Sequence, residues 1–346
     1  MKATNTQKHK ISELAVMLIL AACALVAVVM VGFIVLFLFF TAIPTVAEIG
    51  FFDFLFGGVW DPTRHEVDFL CNYALPCGTP IDLSIWGDLD NGGLVGQEWR
   101  YCYDCCLEEV PAFVTQTPLF GIRNLIFTSF VGTFGAVLIG VPVGVLAAIA
   151  IAQILPKKLS AIVTPAVNLL AGIPSVVYGA VGGVFLVPLV QRVFGLTTGM
   201  TLFSAIVVLS IMVLPTIISI STTSINAVPR TYMEASLALG LTKEASLYKM
   251  VVPAAKSGIL TSVLLGLGRA LGEGMAIILV AGNLAQFPRL FEGARFLTTG
   301  IVAEFGYSDG LHRDALFSIG AVLFVFILLI NSLFYYVIKK AGKNNA

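Results

Sequence analysis

Charge is what this sequence has least of: 12% of its 346 residues are Asp, Glu, Lys or Arg, and the two signs cancel at 20 each. A soluble globular domain carries about 25% charged residues, so an ordinary water-facing surface is excluded. No G-x-x-x-x-G-K-[ST] loop occurs, and the chain therefore has no nucleotide-phosphate cradle of its own. Histidine is too sparse to build a site: His9, His65 and His312 stand far apart and complete no ligand constellation. What is abundant is apolar surface, at 58% hydrophobic residues gathered into long runs.

A bilayer core needs about 20 apolar residues per helix. Six stretches meet that length: Leu14 to Ile43, Leu125 to Ala152, Leu159 to Val190, Leu202 to Thr222, Gly258 to Gly282 and Ala315 to Ile338. The expected fold is all-α and transmembrane, with six helices. The first run follows Lys8 and Lys10 like a secretion signal, but it is about twice the length of a signal core and no A-x-A site follows, so an uncleaved anchor is expected.

The two signs of charge are sorted along the chain. With both termini in the cytoplasm, every lysine falls inside: Lys2, Lys8, Lys10, Lys157, Lys158, Lys243, Lys249, Lys256, Lys339, Lys340 and Lys343. The acids from Glu48 to Glu109 fall outside. The division that follows is a first helix over 1–43, an outward loop or small subdomain over 44–123, a core of five helices over 124–338 with a cytoplasmic loop at 223–257, and a tail over 339–346.

The outward segment carries Cys71, Cys77, Cys102, Cys105 and Cys106, which in an oxidising compartment are expected to form one or two disulfides. Five is odd, so at least one thiol is left over, and the connectivity is open. Zinc at Cys102-x-x-Cys105 is the alternative, but no nearby histidine pair completes a ligand set. Cys23, inside the first run, is expected to be buried and inert.

Small residues at four-residue spacing, Gly140 and Gly144, Gly179 and Gly183, Gly268 and Gly272, predict close helix seams. Pro142, Pro174 and Pro215 fall within the runs and predict kinks.

Two stretches carry chemistry. Glu234 to Gly240 followed by Met250 to Pro253 reads as a helix, a glycine break and a second short helix, forming an elbow on the lysine-rich side. In the fifth run Arg269 lies about 16 Å from Gly258 at 1.5 Å per residue, near mid-membrane. A central arginine costs about 2.5 to 3.5 kcal/mol there, so it is expected to face a partner or a wet pathway. Glu273, one turn on, is expected to pair with it. That leaves two readings, a packing ion pair or a fixed positive site for a passing anion, whose oxygens a guanidinium matches in a two-pronged fashion. His312 is expected to be solvated at the outer interface. Arg289 and Arg295 are expected on the outer face, solvated or touching an anion-loaded binding protein.

The elbow resembles the EAA-x3-G-x9-I-x-L-P signature of ABC importer permeases, with Ser236, Met250 and Val252 as departures. Gly268 to Asn283 and Leu170 to Gly179 are similar to segments of phosphate-specific transport permeases of PstC type, and His312 to Asn331 resembles their last helix. The likeness spans about Leu125 to Asn331 and, more loosely, the first helix. It implies a type I importer permease of the bacterial inner membrane that is not itself an enzyme and holds no cofactor. The implied partners are a cytoplasmic ATPase dimer that binds the ATP, a homologous second permease of PstA type and a periplasmic phosphate-binding protein. Glu234, Ala235, Gly240 and Pro253 become the ATPase-coupling residues, and Arg269 and Glu273 the substrate pathway. Gly274 stands where the family usually has threonine, removing a hydroxyl beside Glu273. The rival readings are a permease for molybdate or sulfate, and a membrane-anchored receptor whose outer loop binds a ligand.

Overall fold

The computed structural model describes residues 2–62 and 118–343, with side chains described over 16–62 and 118–336. The cysteines of the outer segment and His65 lie outside the described residues. Contacts divide the chain into a unit of Met1–Trp60 with Phe120–Ala346 and a unit of Asp61–Leu119. All the described helices belong to the first.

Helix α1 (Lys2–Ile49) runs on through Pro44 and is followed by the short α2 (Phe51–Phe56). Two-residue strands, β1 (Trp60–Asp61) and β2 (Leu119–Phe120), pair where the chain leaves and re-enters the first unit. Then come α3 (Arg123–Ile149), α4 (Lys157–Ala171), α5 (Ser175–Val181) and α6 (Val187–Phe194), the last two joined by a π turn. Helix α7 (Leu202–Asn226) leads to the elbow helices α8 (Arg230–Ala238), α9 (Lys243–Ser246) and α10 (Val252–Ala254). The chain ends with α11 (Lys256–Leu271), α12 (Met275–Ile278), α13 (Leu297–Glu304) and α14 (Gly310–Lys343).

Among the described residues, five helices are long and apolar enough to cross a membrane: Val16–Ile49, Arg123–Ile154, Ser175–Phe194, Leu202–Asn226 and Gly310–Tyr336. A sixth crossing exists if Lys243–Ala254 and Lys256–Leu271, bent by 67°, count as one. Two expected spans are therefore corrected. The run from Leu159 to Val190 is cut at Gly172–Pro174, because proline has no N–H to give and drives its predecessor out of helical geometry. Pro174 stands in the break, at the N-cap of α5, rather than kinking one helix. The run from Gly258 to Gly282 is cut after Leu271, leaving α11 at 16 residues, about 24 Å and short of a 30 Å core.

The centre is a three-helix post. Cβ atoms added at Gly140 and Gly144 of α3 would stand 2.8 Å from Val213 and 2.8 Å from Ile217 of α7, and one at Gly266 of α11 would stand 3.0 Å from Ile217. The hydroxyls of Ser221 and Ser262 meet at 2.7 Å between α7 and α11. Around this seam pack Leu209, Met212, Ala136 and Ala270, all buried. The seam expected at Gly268 and Gly272 is not one: nothing lies within 4 Å of a Cβ at Gly268, and Gly272 meets only its own helix.

Helix α1 packs on α14 through Phe37 against Phe317 and Phe39 against Phe324, with ring centroids at 5.6 and 6.2 Å. Residues 16–34 are all exposed. Cys23, expected to be buried, is a free and exposed thiol on that stretch.

At the ends of α13 and α14 a buried carboxylate gathers three donors. Glu304 accepts from Trp60 Nε1 at 2.8 Å, meets His312 Nε2 at 2.9 Å, and pairs with Arg295. Arg295 also donates to the Asn283 carbonyl at 3.2 Å. His312 is thus not a solvated interfacial residue: its side chain is 14% exposed and its ring lies near Trp60, Phe120 and Tyr307. Arg295 is likewise spent inside the protein, whereas Arg289 is exposed and paired with Glu292 at 3.0 Å. Burial, with the Glu304 charge adding to it and Arg295 opposing, holds the Tyr307 phenol above its ordinary pKa.

Glu304→Ala leaves Arg295 without its buried partner, and breaking such a pair costs about 3 to 5 kcal/mol; the variant should melt well below wild type in detergent. Gly140→Leu or Gly144→Leu should cost about 1 to 3 kcal/mol by overpacking the seam, and Gly268→Ala should cost nothing in the same melt.

Candidate functional site

The two helix breaks meet in space. On one side α4 stops at Ala171, and the Tyr178 hydroxyl donates to the Leu170 carbonyl at 2.8 Å, satisfying a group freed by the break. On the other side α11 stops at Leu271, and Gly272, Glu273 and Gly274 carry the chain to α12. Glu273 Oε1 accepts from Ala276 N–H at 2.9 Å, as a capping side chain does at a helix start. The Thr298 hydroxyl donates to the Glu273 carbonyl at 2.6 Å.

Gly179 brings the breaks together. A Cβ there would stand 2.7 Å from both Cα and O of Ala276, so only glycine lets α5 lie against α12. An open cleft of ≈ 310 Å³ results, with Ser175, Glu273 and Thr298 as its polar lining and Met275, Ile301 and Val302 among its apolar lining. At Gly274, where the resembling family has threonine, a Cβ would come within 3.1 Å of Val302 and 3.4 Å of Thr298. Thr298 occupies that neighbourhood and supplies a hydroxyl from α13 instead.

The expected pairing of Arg269 with Glu273 is corrected. Their four-residue spacing makes a pair only on a continuous helix, and the helix ends between them at Leu271. Glu273 bonds to Ala276 instead. Arg269, partly buried in the last turn of α11, makes no hydrogen bond or ion pair with any described residue. It does not line the cleft. The position has one compensation, since a cation at a helix C-terminus faces the negative end of the macrodipole.

Sequence reasoning named Glu273 but missed Ser175 as a lining residue and all of Thr298, Ile301 and Val302. Ser175 was within reach, because a Gly-Ile-Pro-Ser break and a Gly-Glu-Gly break in two apolar runs are the mark of discontinuous membrane helices. Thr298 lies in α13, with no motif to mark it.

The elbow forms a second candidate surface. Helix α8 ends in a Schellman motif: Leu241 N–H bonds Ser236 O at 3.2 Å, and Gly240 N–H bonds Leu237 O at 2.9 Å. Gly240 takes φ +83, with open space around a would-be Cβ, so backbone conformation alone demands glycine. Thr242 then caps α9 by accepting from Ala245 N–H. Leu247, Val251 and Ala255 are buried against Ala148 and Ile149 of α3 and Ile225 of α7, rooting the elbow in the post. Glu234, Ala235, Gly240 and Pro253 are all exposed. Beside them Tyr232, Leu237, Leu239, Tyr248 and Met250 expose apolar surface, Leu239 at 85%.

Comparison with known proteins gives these surfaces a context. The family described as "Binding-protein-dependent transport system inner membrane component" matches residues 140–343. The chain is 40% identical to the probable ABC transporter permease protein YqgH of Bacillus subtilis, over 62% of this chain and 72% of that one. It is 33% identical to the phosphate transport system permease protein PstC of Pasteurella multocida, over 62% and 73%. For PstC of Mesorhizobium japonicum the figures are 32%, over 65% and 75%. Among solved structures, an inward-facing MetNI methionine ABC transporter chain aligns at 24% identity and a TM-score of 0.49, over 64% of this chain and 94% of that one. The match over 140–343 spans the central helices, the elbow and both breaks, and the chain belongs to the binding-protein-dependent transport system inner membrane components, a multi-pass ABC importer permease of the type I fold with homologues of PstC type.

Proposed function

We propose that this chain is the channel-forming subunit of an ATP-driven importer of inorganic phosphate, receiving the anion from a binding protein outside and releasing it in the cytoplasm. The observation that carries the reading is Arg269, a guanidinium at the end of a broken apolar helix with no partner among the described residues. An unpaired guanidinium in such surroundings is costly, and a tetrahedral oxyanion, met two-pronged, is the ligand it fits best. The names of the PstC relatives support phosphate as that anion.

The exposed apolar surface around Leu239 supports an ATPase partner at the elbow, with Glu234, Ala235, Gly240 and Pro253 forming the docking segment. A second permease and an ATPase pair complete the assembly. Closure of the ATPase pair would move the elbow, and the rooting of Leu247 and Val251 against α3 and α7 passes that movement on as a rigid-body shift.

A permease for another tetrahedral oxyanion is the second reading, since an arginine by itself treats such anions alike. Uptake by membrane vesicles carrying the whole complex separates the two. Phosphate should accumulate with ATP inside, and sulfate or molybdate should not displace it. Arg269→Ala should cut phosphate uptake by about tenfold or more, the loss of one hydrogen bond to a charged group, with Arg269→Lys between the two. Undiminished uptake by Arg269→Ala removes the arginine from the pathway.

At the elbow, Leu239→Asp should abolish copurification of the ATPase while leaving the permease folded. Gly240→Val forces a β-branched residue to positive φ, a strain of about 1 to 3 kcal/mol, and should lower the uptake rate at unchanged expression.

A further inference from the structure

The buried carboxylate of Glu304 is tied to three separate segments, and it stands on the helix that walls the cleft. Glu304 is the last residue of α13, and Thr298, Ile301 and Val302 of the same helix line the cleft. Helix α13 has 8 residues, about 12 Å at 1.5 Å per residue. Near one end the Thr298 hydroxyl donates to the Glu273 carbonyl in the break. At the other end Glu304 takes the Trp60 indole N–H and His312 Nε2 on one carboxylate oxygen and Arg295 on the other.

The three donors come from different places. Arg295 precedes α13, and His312 lies in the first turn of α14. Trp60 belongs to the stem where the chain departs at 60 and returns at 120. That stem is well braced: Gly121 N–H bonds Val59 O at 2.8 Å, Ile122 N–H bonds Phe54 O at 2.9 Å and Arg123 N–H bonds Gly57 O at 3.1 Å. The Trp60 ring packs edge-on against Phe120, with centroids 5.5 Å apart.

Stability alone is a poor reason for such a set of polar groups. Replacing buried ionic groups with apolar residues of like volume is often neutral or stabilising, and Trp60 sits in a cluster with Leu297, Leu316 and Ile319. What a filled hydrogen-bond set does is fix one arrangement. An ionised carboxylate only accepts, so each donor displaced from it is left buried and unpaired. A shift of the stem against α14 therefore either breaks a bond to Glu304 or carries α13 with it.

We infer that the Glu304 junction positions the wall of the cleft, with Trp60 and His312 as positioning residues for transport: the placement of α13, and so of Thr298, Ile301 and Val302, is set from the stem. This rests on the importer reading and adds to it residues that line no part of the cleft.

The test uses vesicles carrying the whole complex and reads phosphate accumulated per ATP hydrolysed, a ratio that a mere loss of folded complex does not move. Trp60→Phe keeps an aromatic ring and loses the N–H. His312→Leu loses a donor, and His312→Gln keeps one. The ratio should fall about threefold or more in Trp60→Phe and in His312→Leu, within the coupling that a residue between two sites carries, and His312→Gln should restore most of it. Thr298→Val removes the bond near the other end of α13. Because both act through one helix, its combination with Trp60→Phe should do little more harm than the worse single change.

An unchanged ratio in assembled Trp60→Phe or His312→Leu, equal losses in His312→Leu and His312→Gln, or additive losses in the double variant overturns the positioning role. Gel filtration with the ATPase shows whether a variant assembles, and if Trp60→Phe does not, the two His312 variants decide. Any of those results in vesicles whose wild-type complex accumulates phosphate sinks the junction alone. Wild-type vesicles that accumulate no phosphate sink the importer reading, and the inference with it.

Discussion

A helix broken inside hydrocarbon has to rebond its freed backbone groups to protein, because lipid offers no partner. That constraint governs both breaks here. Glu273 Oε1 takes the N–H of Ala276, Thr298 gives a hydroxyl to the Glu273 carbonyl, and Tyr178 gives one to Leu170. Glu273 and Thr298, which make two of these bonds, also line the cleft.

Breaks alone would leave two loose segments, and glycine packing turns them into a site. The Gly179 contact with Ala276 is backbone against backbone, so the separation of α5 and α12 does not depend on any rotamer. Farther along, Gly140, Gly144 and Gly266 let α3 and α11 close on Val213 and Ile217 of α7. The same α3 and α7 hold the elbow through Ala148, Ile149 and Ile225. Dense interiors move as units rather than deforming continuously, so the post is a continuous mechanical link between the elbow and the breaks.

Much of this was legible in the sequence for stated reasons. Apolar length revealed the spans at 202–226 and 310–336 because length and hydropathy are what a membrane crossing requires. The elbow was legible because a helix stop needs glycine at a left-handed position, and Gly240 takes one. What misled was treating apolar runs as continuous helices. Leu159 to Val190 and Gly258 to Gly282 have the hydropathy of single spans, and hydropathy does not register a three-residue break. The Arg269–Glu273 pairing failed with the helix that was to carry it. His312 and Arg295 were misjudged because their partner, Glu304, is an acid that no spacing rule connects to them. The outer segment with its cysteines lies outside the described residues.

The separation of Arg269 from Glu273 alters the electrostatics of the whole membrane unit. A buried ion pair would have each charge answered in place. Held apart by the break, the two charges act on different neighbours: the carboxylate serves backbone N–H and cleft, and the guanidinium is left to act on whatever comes within its reach. Removing a charge from water without a partner costs several kcal/mol, and the helix dipole returns about 0.3 to 1 of that, up to about 2 in the best geometry. The remainder has to come from water, a companion subunit or an anion. Any of the three requires that the end of α11 be open to something other than lipid, and a broken helix ending there provides the opening.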